Sequence, residues 1–400
     1  MSVIKLGLFD PGSELADRLA YLRGIHEPTM LDTLKLRGER DRQWLPFGQC
    51  DGASVAGVQT FLKHAGFFPF GKIDGLCGYR TASSIRLFQE YVRVTEGVAS
   101  IGAADGVFGS NSEQHMRRWQ TDGIRAGWVG VSAAEPHPEY RKWMSLLNKV
   151  KTHYAANPTT LLRKVEAFPG RSDTFPVAQW QFDSDKIHII GIRRDEAAPG
   201  KRQNDDLFIV LINGLVFKFY GTTDPGKSRH RRGAPFLVHG QHDYRFGWHK
   251  MTDMNRVYRA LKPLRHGVLI VRDADRDDAL TDADIEGTLE ANNSINVHWG
   301  GKGVSNWSEG CQCICGRGYI NFNGDKVDCS DSAASRYVEL GTKRNGVYQT
   351  KGAYSVLVDL LTAFSGSAHA AKYMLLYERD LDLEPEIGTG VTREILNAIA

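Results

Sequence analysis

Two stretches of this chain are copies of one another, and that restricts its first third to a small repeated unit. Asp74-Gly75-Leu76-Cys77-Gly78 is followed by Thr81, Ile85, Phe88 and Gln89. Asp105-Gly106-Val107-Phe108-Gly109 is followed by Ser112, Met116, Trp119 and Gln120, each 31 positions further on. Asp-Gly-x-x-Gly makes a tight turn in which glycine supplies positive φ. Thr81 and Ser112 stand where a helix takes its cap. The next apolar residues fall four and seven positions later, on one helical face. A further helix is predicted ahead of the first copy, carrying Val58, Gln59 and Leu62 and ending at Gly66-Phe67. The expectation is a small helical bundle over residues 51–128, with Phe88 and Trp119 in its core.

Val58, Gln59, Leu62, Gly66, the Ile73-Asp74-Gly75 turn with Gly78 and Thr81, and Phe88-Gln89 together resemble the peptidoglycan-binding-domain family. The resemblance implies a compact helical module and peptidoglycan as its partner. Repetition of the turn strengthens it.

Downstream the pattern changes. Pro136 and Pro138 break the chain, and Tyr140 to Tyr154 reads as an amphipathic helix with Trp143, Leu146, Leu147 and Val150 on one side. Asn157-Pro158 ends it. From about residue 176 the texture is that of strands: 186–192, 207–212, 215–220, 234–238, 267–272 and 295–298. Asn213-Gly214 is a hairpin turn between two of them. Helical patterning returns over Gly352–Phe364. The fold class is therefore α+β and multidomain, a small helical bundle followed by a mainly β domain. The expected boundaries are an N-terminal segment 1–48, the helical domain 49–130, a helical connector 131–178, the β domain 179–385 and a tail 386–400. Ser13 to Leu22 reads as a short helix in the N-terminal segment, to which the sequence assigns no function, an N-terminal cap and an export-recognition arm both being open.

A net charge of +3 over 400 residues, with 24% charged side chains, leaves no concentrated basic face of the kind nucleic-acid binders carry. The densest basic run, Lys227 to Arg232, reads as a solvated loop. No apolar run is long enough to span a membrane. Met1 to Asp10 lacks the apolar core of a secretory signal. That predicts synthesis in the cytoplasm. The resemblance to a wall-binding module then implies action at the cell wall or periplasm after delivery, with export machinery, a phage holin or an immunity protein as expected partners.

Chemistry concentrates late in the chain. Asn296-Val297-His298-Trp299-Gly300-Gly301 ends a strand, and Ser308-Glu309-Gly310-Cys311 follows, with Cys311 13 positions after His298. A thiol needs a base and a polarising backbone to act as an acyl-transfer nucleophile. His298 would serve as the base. Gly310 would let the backbone turn and present N–H groups to an oxyanion. Cys311, Cys313, Cys315 and Cys329 also allow a metal reading, although Cys-x-Cys-x-Cys fits the usual spacing of structural zinc poorly. Asp273, Asp275, Arg276, Asp277 and Asp278 form a charged cluster after a strand, read as a solvated turn that could accept cations. His239, Gln241, Tyr244 and Arg245 lie in a stretch expected to be a loop facing the catalytic turn and binding substrate, with His249 soon after.

A strand-ending His, a Gly-rich loop and Ser-x-Gly-Cys resemble the active-site signature of the L,D-transpeptidase catalytic-domain family, over roughly residues 180–325. The resemblance implies a mostly β fold, a Cys311 acyl-enzyme on peptidoglycan stem peptides, His298 as base, and Ser308 and Gly310 as shapers of the loop and oxyanion hole. It implies no metal and no cofactor. A Trp-Ser-x-Gly-Cys-Gln form of the signature would add Trp307 and Gln312 as substrate contacts. The chain departs from the family pattern at Glu309, where many members have His, and at Cys313, where many have Arg. The expected function is hydrolysis of a stem-peptide amide by a delivered carboxypeptidase or endopeptidase. L,D-Transpeptidation and non-catalytic wall binding are the alternatives.

Overall fold

The computed structural model describes residues 3–11, 48–50, 54–195, 204–226, 232–250, 258–303, 306, 308–366 and 370–399. The helix expected over Ser13–Leu22, the run Lys227–Arg231 and Trp307 lie outside them. The described chain is α+β and divides into two compact units, Met1–Gly130 with Val356–His369, and Val131–Ser355 with Ala370–Ala400.

The helical unit contains β1 (Leu8–Phe9) and β2 (Gly48–Gln49), paired in parallel, and α1 (Val55–Ala65), α2 (Tyr79–Val94) and α3 (Ser110–Asp122). Each Asp-Gly-x-x-Gly turn is clamped by a glutamine from the preceding helix. Gln59 donates to Asp74 Oδ1, the Leu76 carbonyl and Thr81 Oγ1, and accepts from the Asp74 and Gly75 amides. Gln89 does the same for the second turn through Asp105, Val107, Ser112 and Gly106. Gly75 and Gly106 adopt φ of 70° and 78°, as the turn requires. Thr81 and Ser112 do not cap their helices. Gly78 and Gly109 hold the cap positions without a side-chain bond, and the two hydroxyls serve the glutamine clamps instead.

Residues 3–11 belong to this unit rather than to a separate segment. Ile4 exchanges backbone hydrogen bonds with Phe108, and Leu8 accepts one from Cys77, so one extended strap braces both turns. The Asp10 carboxylate then caps α1 by accepting from the Val55 and Ala56 amides and the Ser54 hydroxyl. Phe61, Phe67, Phe88, Tyr91, Trp119 and Trp128 pack together in the core mostly edge to face, as the quadrupoles of aromatic rings favour.

The second unit begins with α4 (Pro138–Ala156) and α5 (Thr160–Glu166). Its strands are β3 (His188–Arg193), β4 (Asp206–Ile212), β5 (Leu215–Thr222), β6 (Pro235–Leu237), β7 (Gly240–His249), β8 (Tyr258–Pro263), β9 (Val268–Arg272), β10 (Glu290–Asn292), β11 (Val297–Trp299), β12 (Gln312–Ile320), β13 (Lys326–Asp328), the hairpin β14 (Lys343–Arg344) and β15 (Val347–Tyr348), and β16 (Ala370–Tyr377). The main sheet runs β11-β8-β7-β16-β3-β4-β5-β12-β13, and β11 also pairs with β12. That extra pairing closes eight strands into a barrel with β13 on its flank. β10-β9-β6 form a separate small sheet packed on α5 through Leu161, Val165, Phe236 and Leu269.

Every residue of β3, β4 and β5 is buried. One face of these strands lies inside the ring. The other packs on α4 and on α6 (Gly388–Ile399), where Ile190, Leu207, Ile209 and Leu211 meet Trp143, Leu147, Leu396 and Ile399. A buried aliphatic side chain contributes about 1.5–3 kcal/mol, so this layer is a principal source of stability. The helix at 138–156 is therefore core rather than connector, and in the stretch expected to be a tail residues 388–399 form a packed helix. The Asn213-Gly214 turn forms as expected, with φ of 49° and 80°.

In the helical unit Arg86 makes a two-pronged pair with Asp359, Nε to Oδ2 and Nη2 to Oδ1, both at 2.6 Å. Asp359 is almost wholly buried and Arg86 mostly so. Asp359→Ala leaves the guanidinium without its counter-charge and is expected to lower stability by about 3 kcal/mol. A urea titration measures it, and the double variant Arg86→Met with Asp359→Leu is expected to recover much of the loss.

Candidate active site

β11 and β12 run in parallel with His298 opposite Cys313, Val297 opposite Gln312 and Trp299 opposite Ile314. Residues level with each other on neighbouring strands point to the same face. The thiol that the ladder sets beside His298 is therefore Cys313. Its sulfur lies 3.7 Å from His298 Nε2. His298 Nδ1 lies 2.8 Å from the Trp299 carbonyl oxygen, which can only accept, so Nδ1 carries the proton and Nε2 the lone pair. The Ser308 hydroxyl, 3.4 Å from Nε2, donates to it and accepts from the Cys311 amide at 3.2 Å. A directed chain thus runs from the Cys311 N–H through Ser308 to His298 and on to Trp299.

Cys311 is half-buried and Cys313 is 1% exposed. The Cys311 thiol donates to the Ser294 carbonyl at 3.2 Å and accepts from the Asn296 amide at 3.4 Å. Gly310 is required by close approach rather than by φ. A Cβ there would stand 2.4 Å from Pro235 Cγ. Gly300 has the same role beside Cys313, where a Cβ would meet the cysteine Cβ at 3.0 Å.

Burial dominates the electrostatics. It pushes His298 down to about 4, opposed by the bond to Trp299. It raises the Cys311 thiol, opposed by the Asn296 amide and Ser308, and raises Cys313 further. The resting site therefore holds neutral thiols and a neutral imidazole, not a thiolate–imidazolium pair. Such an imidazole can accept a thiol proton during attack, as general-base catalysis requires.

The other expected contacts lie elsewhere. The stretch from His239 to Arg245 is not a loop: Gly240–His249 is strand β7. His239 is buried against Tyr154 and Tyr377, with Nε2 at 3.0 Å from Thr159 Oγ1. Gln241 is fully buried and bonds both backbone groups of Gln181. Tyr244 is buried against Tyr373, and Arg245 donates to the Pro263 carbonyl. Gln312 is an internal strut, donating to the Thr223 carbonyl and accepting from the Tyr373 hydroxyl. His239, Gln241, Tyr244 and Gln312 are buried and engaged internally, and Arg245 is half-buried. Sequence reasoning missed Tyr258, and named Asn296 and His249 without giving them a role. Tyr258 has its hydroxyl 3.3 Å from His298 Nδ1, Asn296 bonds the Cys311 sulfur through its amide, and the His249 ring stacks on His298. Each comes from a different strand or strand end, and the chain itself showed only that Asn296 adjoins Val297-His298 and that His249 follows the His239–Arg245 stretch.

Among the described residues the four late cysteines do not converge as metal ligands do. Cys315 donates to the Tyr220 hydroxyl at 3.0 Å. The side chains that do converge are Asp273, Asp275, Asp277 and Asp284, with ligand atoms within 4.8 Å of one another. Asp273 accepts from the Arg276 and Asp278 amides, and Asp284 from Ala274 and Thr281, so these two carboxylates staple the turn.

No family model matches the chain, and no curated protein matches it. Among solved structures, a fused Zn-dependent amidase/peptidase/peptidoglycan-binding domain-containing protein from Clostridium acetobutylicum ATCC 824 aligns over 84% of this chain and 91% of that chain, at 15% identity and a TM-score of 0.21. Likeness at that level carries no argument about fold or mechanism.

The raised thiols set the expected alkylation profile. A raised pKa keeps Cys311 protonated at pH 7, so its reaction with iodoacetamide is expected to rise only above the ordinary thiol pKa of about 8.5. Cys313 is expected to stay protected until the protein unfolds. Peptide mapping by mass spectrometry after labelling across a pH series checks both.

Proposed function

We propose that this chain is a peptidoglycan-directed thiol enzyme acting on the stem peptide through an acyl-enzyme on Cys311. The observation that carries the reading is the placement of the Ser308 hydroxyl, which favours the Cys311 thiolate on one side and reaches Nε2 of a neutral His298 on the other, while the second nitrogen of that ring is tied to the Trp299 carbonyl. The substrate class rests on the resemblance of the duplicated turns to a wall-binding module and of the Ser-x-Gly-Cys signature to wall-peptide enzymes.

In this mechanism the Cys311 sulfur attacks the carbonyl carbon of the diamino acid residue while its proton passes by way of the Ser308 hydroxyl to His298 Nε2. The tetrahedral intermediate collapses with loss of the amine, which takes that proton from His298. Water, activated by the same imidazole, then attacks the thioester, and the acid and the free thiol are released. We favour water over an amine acceptor because the chain departs from the transpeptidase signature at Glu309 and Cys313. L,D-Transpeptidation differs only in this last step. Delivery to the wall by a holin or a secretion machine belongs to the same reading.

A second assignment of the nucleophile has its own observation, the 3.7 Å approach of Cys313 to His298 Nε2. The burial of Cys313 opposes it, because the attacking sulfur has to meet the substrate. Digestion of purified sacculi, followed by mass spectrometry of the released peptides, separates the two. Cys311→Ala is expected to lower product release by about a thousandfold or more, and Cys313→Ala by about tenfold or less. The reverse order would move the nucleophile to Cys313. Undiminished release in both variants would rule out a thiol mechanism, and no release by the wild type would leave the non-catalytic wall-binding alternative.

A further inference from the structure

His249 takes no part in the chemistry just described, yet its ring lies flat on that of His298. The centroids are 4.3 Å apart and the planes 17° from parallel. Asn296 Nδ2 donates to His249 Nδ1 at 3.1 Å, and the backbone amide of the same asparagine reaches the Cys311 sulfur. One residue thus ties the stacked imidazole to the thiol. Tyr258 completes the arrangement, with its ring 5.5 Å from His249 and its hydroxyl at His298 Nδ1.

We propose that His249 is a positioning residue of this site, a second imidazole that holds the His298 ring in one orientation and in its neutral, proton-accepting form. The proposal rests on the thiol reading of the site. Three physical effects support it. A flat ring at van der Waals distance removes water from one face of His298, and desolvation disfavours the charged imidazole. Two stacked imidazoles cannot both be protonated without placing like charges about 4 Å apart. The stack also blocks rotation of the His298 ring, which preserves the bonds to Trp299 and Ser308.

The surrounding charges act in the same direction. Lys250, next to His249, disfavours protonation of both rings, and Lys262 on β8 acts on His249. Lys351 lies over the Tyr258 ring at 4.9 Å. Among the described residues the other titratable neighbours are the thiols of Cys311 and Cys313 and the Tyr258 hydroxyl, all pushed up by burial, and the Tyr337 hydroxyl, which lies 3.3 Å from that of Tyr258. Glu309 is the carboxylate that acts on Cys311. Burial pushes His249 itself down to about 2, with the neighbouring His298 second, so the stack stays uncharged through the neutral range.

The test uses the full chain and needs no substrate. The His298 imidazole is titrated by nitrogen NMR in the wild type and in three variants. His249→Gln and His249→Ala remove the ring, and His249→Phe keeps a flat ring without a second basic nitrogen. Loss of the ring is expected to raise the His298 midpoint by about one pH unit or more, toward the ordinary histidine value of about 6.5. His249→Phe is expected to leave it near the wild-type value. Where sacculi are digested, the acid limb of the rate profile is expected to move up by the same amount in the ring-less variants. kcat is expected to fall about tenfold and KM to change less than about twofold. An unchanged midpoint in the ring-less variants, or an equal rise in all three, would overturn the proposal. Because the titration requires no turnover, its failure is distinct from a failure of the peptidoglycan reading, which appears only as absent digestion.

Discussion

Closure of the barrel depends on one short parallel pairing, the three residues of β11 against the start of β12. The rest of the site follows from it. Parallel neighbours in a ladder face the same side, so the register that closes the ring also decides which thiol meets the imidazole. Trp299, one residue beyond His298, serves two ends at once. It continues the ladder, and its carbonyl holds the proton on His298 Nδ1. A slip of one residue would send His298 to the opposite face and open the ring at the same time. The chemistry is therefore protected by the same hydrogen bonds that stabilise the fold.

Burial and local donors act on these thiols in opposite directions, and burial prevails. An N–H from Asn296 and the hydroxyl of Ser308 favour a Cys311 thiolate, but taking the sulfur out of water costs more. A site built this way keeps its nucleophile quiet until a substrate displaces the resting contacts. The Cys311 thiol spends its proton on the Ser294 carbonyl, and attack requires that bond to be exchanged for the route to His298.

Much of the fold was legible in the chain, because local chemistry dictated it. The Asp-Gly turns, the Asn213-Gly214 hairpin, the helix at Tyr140–Tyr154 and the six expected strands lie close to where their patterns placed them, while β7, β8, β12 and β16 were not anticipated. Misreadings came from polar residues with hidden partners. Gln241 sits fully buried in β7 because its amide mimics a strand pairing with Gln181, which gave a buried strand the texture of a loop. Thr81 and Ser112 resemble helix caps, but their hydroxyls are claimed by Gln59 and Gln89. At the site, His298 and Cys311 were visible as residue types at a spacing. The register that sets His298 against Cys313 was not, since nothing in one strand states how the next aligns with it. His249 and Tyr258 join the cluster only once β7, β8 and β11 are assembled.

The Arg86–Asp359 pair spans 273 positions of chain. The helical unit therefore takes an essential carboxylate from a segment that follows nearly all of the barrel. The barrel in turn lacks β16, which lies between β7 and β3, until residues 370–377 have been made. Neither unit can be completed by a growing chain until the stretch from Asp359 to Tyr377 has left the ribosome. Folding of the two during synthesis is thus deferred to the same late moment, rather than proceeding one unit after the other.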